Sequence, residues 1–316
     1  MENPRSILVI KPSSLGDIVH ALPAVACIRK KWPQSRITWL ANPEWAPLLA
    51  GNPHINEVIE FPRSTFKGIL GWTRLRGWAR GMRDLVKPDL VLDFQGLLRS
   101  ALVGRMSGGE VWGTSDSREG ARWLHHHVVP VPKRGEPVHA VTRNLALAAA
   151  LGCDIGGEPE WPLPAGSAPA AHLPARFVLL HPFSRGAGKS LTASEISDFC
   201  DALAPVPVVL AGRSASTVRA NAVNLINATS LPELCWLIRR AEFVASVDSG
   251  PMHIAAALSD RILAIHTWSD PRQVGPFSQR AWVWKDGRIG RMADFPAGIE
   301  CPRAGLGKWL SARLPK

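Results

Sequence analysis

A carboxylate near the N-terminus lies where a general base could act. Asp17 follows an apolar run at residues 7–10 and a polar turn, Lys11–Gly16, and it opens a helical pattern. A strand, a loop and a helix in that order place the carboxylate at the carboxyl edge of the strand, where α/β sheets bind their ligands. Gly16 allows the backbone to approach a ligand closely. The spacing Ser14-x-x-Asp17 also fits a capping box, so a purely structural role stays open.

A second motif, in the C-terminal half, is suited to binding phosphate. An apolar strand ends at Val247 and runs into an Asp-Ser-Gly turn and a helix of small residues. The unpaired amides and the positive dipole end of such a helix attract anions. Asp248 and His253 could add polar contacts to a nucleotide. In the alternative interpretation, Ser249 only caps the helix and His253 is a core histidine.

A loop between these motifs carries cations. Residues 184–190 look like a P-loop, but that pattern requires a glycine where Phe183 stands. Arg185 and Lys189 remain at the end of a predicted strand, where their charges could neutralise a diphosphate. A solvated loop is the alternative.

A basic amphipathic helix is predicted over residues 71–86. At about 100° per residue, four apolar side chains share one arc and three arginines lie nearly opposite. The apolar set is Leu75, Trp78, Met82 and Leu85, and the basic set is Arg76, Arg80 and Arg83. The helix is either an ordinary surface helix or a dock for an anionic, membrane-embedded acceptor.

Several function classes are disfavoured. His125-His-His127 lacks metal-ligand spacing, no Asp-x-Asp pair occurs, the five cysteines form no CxxC, and no GxGxxG follows a strand. We therefore expect neither a metal site nor a nicotinamide cofactor. Lys and Arg exceed Asp and Glu by 37 − 26 = 11, which indicates an anionic partner. Nucleic acid is not expected, because no nucleic-acid-binding fold is recognisable. No apolar run reaches the roughly 18–20 residues of a membrane span, so we expect a cytoplasmic protein.

The sequence predicts two α/β domains. Apolar strands alternate with segments long enough for crossover helices in both halves, which favours parallel sheets. Between them, residues 158–174 contain five prolines, typical of a linker. Two such domains leave a cleft between them, where we expect the ligands.

Four stretches together resemble the lipopolysaccharide heptosyltransferases, glycosyltransferase family 9, from about residue 6 to about residue 277. They are Lys11–His20 with Leu22-Pro23, Asp93–Gly96, His139–Arg143 and Asp248–His253. The resemblance implies a GT-B architecture, in which two Rossmann-like domains with parallel sheets face each other across a cleft. It implies an acceptor domain over residues 1–157, a linker over 158–175 and a nucleotide-sugar domain over 176–302. A last helix within about 303–314 would pack back onto the first domain.

The implied reaction is inverting transfer of heptose from ADP-heptose, as donor substrate, to the lipopolysaccharide inner core, with no metal or cofactor. Asp17 would be the catalytic base. The implied donor-binding residues are Ser184, Lys189, Asp248, Ser249, Gly250 and His253. The implied acceptor-binding residues are Ser14, Gly16, Arg76, Arg80, Arg83 and Arg118. The acceptor would be an anionic glycolipid, reached by peripheral contact with the cytoplasmic face of the inner membrane.

Three stretches depart from the family pattern. Residues 182–188 lack a Thr-Thr start, residues 212–215 lack an acid for the donor ribose, and residues 265–271 replace a Tyr-Gly-Pro-Thr-Asp-Pro stretch. Two alternatives therefore stay open: a transferase that uses another nucleotide-sugar or glycan acceptor, and a non-catalytic homologue that binds nucleotide-sugars.

Overall fold

The computed structural model describes residues 3–66, 68–133, 135–186, 188–215 and 217–314. The chain divides into two compact units, Met1–Pro164 and Ala165–Lys316. Each unit is built on one sheet with helices packed against it, so the predicted α/β class is confirmed.

The first unit contains a parallel six-stranded sheet in the order β3-β2-β1-β4-β5-β6. Its strands are β1 (Ser6–Ile10), β2 (Arg36–Ala41), β3 (Glu57–Glu60), β4 (Leu90–Asp93), β5 (Glu110–Thr114) and β6 (His127–Val129). Its helices are α1 (Leu15–Lys31), α2 (Ile69–Val86), α3 (Leu98–Ser107) and α4 (Ala140–Ala150). The central strand β1 is apolar and almost wholly buried because both of its neighbours pair with it.

Helix α2 forms where predicted, but its apolar face differs. The side chains that pack into the core repeat at i, i+4, i+7 and i+11, and are Leu75, Ala79, Met82 and Val86. Leu85 is 62% exposed, and Trp78 is only partly buried. The prediction that Leu85 shares the apolar face is therefore wrong: packing turns Ala79 and Val86 into the buried cluster instead.

The second unit contains an eight-stranded sheet in the order β14-β13-β12-β11-β10-β7-β8-β9. Its strands are β7 (Val178–His181), β8 (Val208–Gly212), β9 (Val223–Ile226), β10 (Phe243–Val247), β11 (Ile262–His266), β12 (Trp282–Lys285), β13 (Arg288–Arg291) and β14 (Ile299–Glu300). Its helices are α5 (Ala193–Leu203), α6 (Leu231–Arg240), α7 (Gly250–Leu258), α8 (Pro271–Val274) and α9 (Leu306–Ser311).

This second sheet is mixed rather than parallel throughout. Strands β7 to β12 pair in parallel, whereas β13 and β14 run antiparallel to their neighbours. The cause is a two-residue turn, Asp286-Gly287, in which both residues have positive φ. Asp-Gly is the sequence typical of such hairpin turns, and it reverses the chain after β12.

The C-terminal helix belongs to the second unit. Helix α9 packs against α5, and Leu306, Trp309 and Leu310 are buried in the core of that unit. The indole of Trp309 also makes an edge contact with Trp282, with ring centroids 4.8 Å apart. The apolar side chains of this helix complete the core beside α5. The expectation that the helix packs back onto the first domain stays a prediction.

The first part of the proline-rich segment makes side-chain contacts with the first unit. Glu160 forms an ion pair with Lys30 and a hydrogen bond with His54, and the Asn52 side chain donates to the carbonyl of Pro162 at 3.2 Å. These contacts place residues 160–162 in the first unit. The observed boundary, after Pro164, therefore falls inside the predicted 158–175 linker.

A buried histidine predicts a pH-dependent stability. Burial lowers the pKa of His181, at the end of β7, from 6.5 to about 4. Between these values the unfolded chain binds a proton that the folded chain does not, so stability falls as the pH drops below 6.5. We expect a loss of about 2 kcal/mol between pH 7 and pH 5 from this residue. Urea unfolding of the unchanged protein and of His181→Gln at both pH values measures it. An equally steep pH dependence in the variant would contradict the prediction.

Candidate functional site

The first candidate site centres on Asp17 in the first turn of α1. Its carboxylate Oδ2 accepts hydrogen bonds from the backbone N–H of Ser14 at 3.0 Å and from Ser14 Oγ at 2.6 Å. The capping box is thus formed, and it fixes the orientation of a half-buried carboxylate at the carboxyl edge of β1. Ser14 is exposed beside it, whereas Gly16 is buried within the helix.

Residues after β4 hold the turn that carries Asp17. The buried Lys11 ammonium donates to the carbonyl of Phe94 at 2.9 Å, and Ser13 N–H donates to Gln95 Oε1 at 3.4 Å. The Trp39 indole N–H donates to the carbonyl of Lys11 at 3.1 Å. The position of Asp17 therefore depends on β2 and β4 as well as on its own helix.

A buried Asp–His pair organises the loop after β4. Asp93 Oδ1 accepts from the N–H groups of Gln95 and Gly96, at 3.1 and 3.0 Å. Its Oδ2 accepts from Ser100 Oγ at 3.1 Å and lies 2.9 Å from His125 Nε2, with both side chains of the Asp–His pair fully buried. The sequence alone indicated no role for His125, because the run of three histidines lacks metal-ligand spacing.

The arginines assigned to the acceptor lie on two parts of the first unit. Arg118 is exposed, and its backbone N–H donates to the carbonyl of Gly96 at 2.8 Å, which ties it to the Asp93 loop. Arg76, Arg80 and Arg83 are exposed on α2, as predicted. These side chains present positive charge to solvent on the unit that carries Asp17.

The second candidate site lies where β7 and β10 end side by side. Ser184 Oγ donates to the carbonyl of Asp248 at 2.7 Å, and Ser184 N–H donates to Ser190 Oγ at 3.0 Å. Ser249 precedes Gly250, the first residue of α7, so the N-terminus of that helix opens beside the Ser184 loop. The structure thus brings together five predicted donor-site residues, namely Ser184, Lys189, Asp248, Ser249 and Gly250. His253 is buried one turn into α7.

Two residues that the sequence analysis missed orient the Asp248 carboxylate. Ser269 Oγ donates to Asp248 Oδ2, and His266 Nδ1 lies 2.8 Å from Ser269 Oγ. Since the serine proton goes to the carboxylate, the imidazole must donate to the serine, so its proton is on Nδ1. The signal in the sequence was a run of polar residues directly after β11.

Lys189 and Trp268 complete this site. The Lys189 ammonium, on the loop that carries Ser184, lies 6.0 Å from the centroid of the Trp268 ring. Helix amides and a lysine beside a tight turn are a combination that binds anionic phosphate groups. The first unit can thus supply an oriented carboxylate, and the second can bind an anion.

Two kinds of feature are absent from the residues that the structure describes. Among them, no group of three or more His, Cys, Asp or Glu side chains is arranged to hold a metal ion. In the same ranges, no helix combines the length and apolar character needed to cross a bilayer.

Comparisons with known proteins agree with the motifs. The model of glycosyltransferase family 9 (heptosyltransferase) matches residues 205–298. The chain is 25% identical over 304 residues to the lipopolysaccharide core heptosyltransferase OpsX of Haemophilus influenzae, covering 88% of this chain and 83% of that protein. It is 24% identical over 306 residues to lipopolysaccharide heptosyltransferase 1 of Escherichia coli K12, covering 88% and 92%.

Solved structures share the fold. The structure of E. coli ADP-heptose lipopolysaccharide heptosyltransferase II superimposes with a TM-score of 0.74 at 23% identity, covering 97% of this chain and 98% of that one. E. coli heptosyltransferase WaaC with ADP gives a TM-score of 0.71 at 22% identity, covering 88% and 92%. These likenesses show the two-unit α/β architecture that the motifs implied.

The Asp93–His125 pair predicts a strict requirement for glycine at position 113. A Cβ on Gly113 would lie 2.1 Å from His125 Cε1, so Gly113→Ala must displace the imidazole from Asp93. We expect a loss of about 1–3 kcal/mol in the free energy of unfolding, measured by urea denaturation. Gly77→Ala is the matched control, because nothing lies within 4 Å of a Cβ at that exposed helical position. Equal stability of the Gly113→Ala variant and the unchanged protein would refute the packing argument.

Proposed function

The chain belongs to glycosyltransferase family 9, and we propose that it transfers a heptose from ADP-heptose to the inner core of lipopolysaccharide with inversion at the anomeric carbon. The observation that carries the proposal is the pairing of chemistries: an oriented carboxylate in the first unit and an anion-binding turn in the second. ADP in the WaaC structure and ADP-heptose in the name of heptosyltransferase II support the choice of donor.

The second unit would bind the donor. The amides at the start of α7, from Ser249 and Gly250, would hold the diphosphate together with Lys189. Negative charge grows on ADP as the bond to the anomeric carbon breaks, and these groups would stabilise it. We propose that no metal or cofactor takes part, since lysine and helix amides can balance this charge.

The first unit would bind and activate the acceptor. Asp17 would accept the proton of the acceptor hydroxyl while that oxygen attacks the anomeric carbon and ADP departs. A single displacement of this kind inverts the configuration. The two hydrogen bonds from Ser14 would hold the carboxylate in one orientation during the transfer.

The exposed arginines would contact the anionic acceptor. Arg118 and the α2 arginines would meet phosphate and carboxylate groups of the glycolipid. Since such an acceptor is embedded in lipid, we propose a cytoplasmic protein in peripheral contact with the inner membrane.

Substitution of Asp17 distinguishes a catalytic role of its carboxylate from a role in capping the helix. Asp17→Asn should lower kcat by about 10²–10⁴-fold and leave the fold intact, because an amide cannot accept the proton. The assay is mass-spectrometric turnover of ADP-heptose with truncated lipopolysaccharide core. Glu233→Gln is the matched control: Ser230 donates to Glu233 through its N–H and its Oγ, each at 2.7 Å, in a capping box of the same form. We expect the control to turn over normally.

The outcomes separate the alternatives. Unchanged turnover in Asp17→Asn would show that the carboxylate is only a cap. Turnover of the unchanged protein with UDP- or GDP-sugars but not with ADP-heptose would identify a transferase of another donor. Binding of ADP-heptose without turnover would indicate a non-catalytic homologue.

The basic face of α2 gives a second test of the same proposal. Arg80→Ala should raise the KM for the acceptor about five-fold at low salt, since one cation near an anionic surface contributes about 1 kcal/mol. The KM for the donor and kcat should not change. Arg261→Ala, an exposed arginine of the second unit, is the control. A change in the KM for the donor instead would show that α2 is not part of the acceptor site.

A further inference from the structure

Trp268 is an exposed indole at the rim of the Asp248 site. Its side chain is 76% exposed, although a tryptophan normally buries most of its large apolar surface. It follows β11, at the same edge of the sheet as the Ser184 loop and the start of α7. The donor-site residues predicted from the sequence do not include Trp268.

The backbone that carries this indole is fixed on both sides. Ser269 bonds to Asp248 and His266, and the carbonyl of Trp268 accepts from Lys285 Nζ at 3.4 Å. The indole is therefore held at the rim by its neighbours, while its ring is left exposed to solvent. An exposed aromatic ring on an anchored loop is suited to stacking on a ligand.

The strand order sets the distance from the phosphate-binding turn. That turn lies at the ends of β7 and β10, and β11 is the next strand, about 4.8 Å further across the sheet. The Lys189 ammonium lies 6.0 Å from the ring centroid of Trp268. With Lys189 on the diphosphate, as proposed above, a ring of the donor that contacts Trp268 lies next to the diphosphate.

The chemical structure of the donor indicates which of its rings would contact Trp268. In a nucleoside-diphosphate sugar the two groups bonded to the diphosphate are both sugars, and the purine lies a ribose further away. A pyranose presents a flat face of C–H bonds, which packs well on an indole. A ribose offers a smaller face of this kind.

We propose that Trp268 stacks on the C–H face of the transferred sugar and thereby sets the specificity of the chain for that sugar. This inference rests on the proposed function, because it takes the Asp248 site to be the donor site. It adds a contact to the sugar itself, beyond those that hold the nucleotide.

Calorimetric titration of two ligands into the unchanged protein and three variants tests the contact. For Trp268→Ala we expect a roughly ten-fold weaker affinity for ADP-heptose and an unchanged affinity for ADP. Trp268→Phe should retain most of the affinity for ADP-heptose, because it keeps an aromatic face. Trp123→Ala is the matched control, since Trp123 is 77% exposed, also has a cation over its ring, and lies in the other unit. Quenching of tryptophan fluorescence by ADP-heptose, present in the unchanged protein and reduced in Trp268→Phe, would support the contact independently.

Each other outcome overturns a distinct statement. An equal loss of ADP affinity in Trp268→Ala would place the indole on the nucleoside and refute the sugar contact. Unchanged affinity for both ligands would refute any contact, while turnover by the unchanged protein would leave the proposed function standing. Failure of the unchanged protein to bind ADP-heptose would overturn the proposed function, and the inference with it.

Discussion

Both candidate sites depend on the parallel pairing of strands that are distant in the sequence. In the first unit β1 pairs with β4, so Ser13 meets Gln95 across 82 positions of the chain. In the second unit β7 pairs with β10, so Ser184 meets Asp248 across 64 positions. Because parallel strands end at the same edge, the loops that follow them converge there. Side-chain hydrogen bonds between these loops then hold them in place.

This constraint explains which parts of the molecule could be predicted from the sequence. The apolar runs of β1 and β10 and the turns after them are local features, and so are the capping boxes at Thr192 and Ser230. Parallel pairing, inferred from the alternation of strands and helices, puts the loops of Ser184 and Asp248 at the same edge of a sheet, but it does not predict that their strands are neighbours. The resemblance to a family supplied the roles, since the residues alone left Asp17 open between a cap and a base.

The features that could not be predicted are tertiary contacts with no local signal. His125 reaches Asp93 across 32 positions, and Ser269 reaches Asp248 across 21. The rotation of α2 has a similar cause. The arcs through Leu85 and through Val86 fit the helical repeat equally well, and only packing against the rest of the unit selects the second. The sequence of helix α9 also does not indicate against which unit its apolar face packs.

The charge of Asp248 is the remaining physical problem in the second site. A carboxylate beside an anion-binding turn repels the anion unless it is directed away from it. The backbone carbonyl of Asp248 is bound by Ser184, whereas its carboxylate is bound by Ser269, on the side of β11. The negative charge is thus turned toward the strand that carries Trp268 in its following loop. In the proposed function that is the side of the sugar, whose hydroxyl groups are hydrogen-bond donors for a carboxylate and whose C–H face suits an indole. In the proposed function, Ser269 would thereby keep the charge of Asp248 away from the phosphate, and the sugar would meet this carboxylate and the Trp268 indole on the same side.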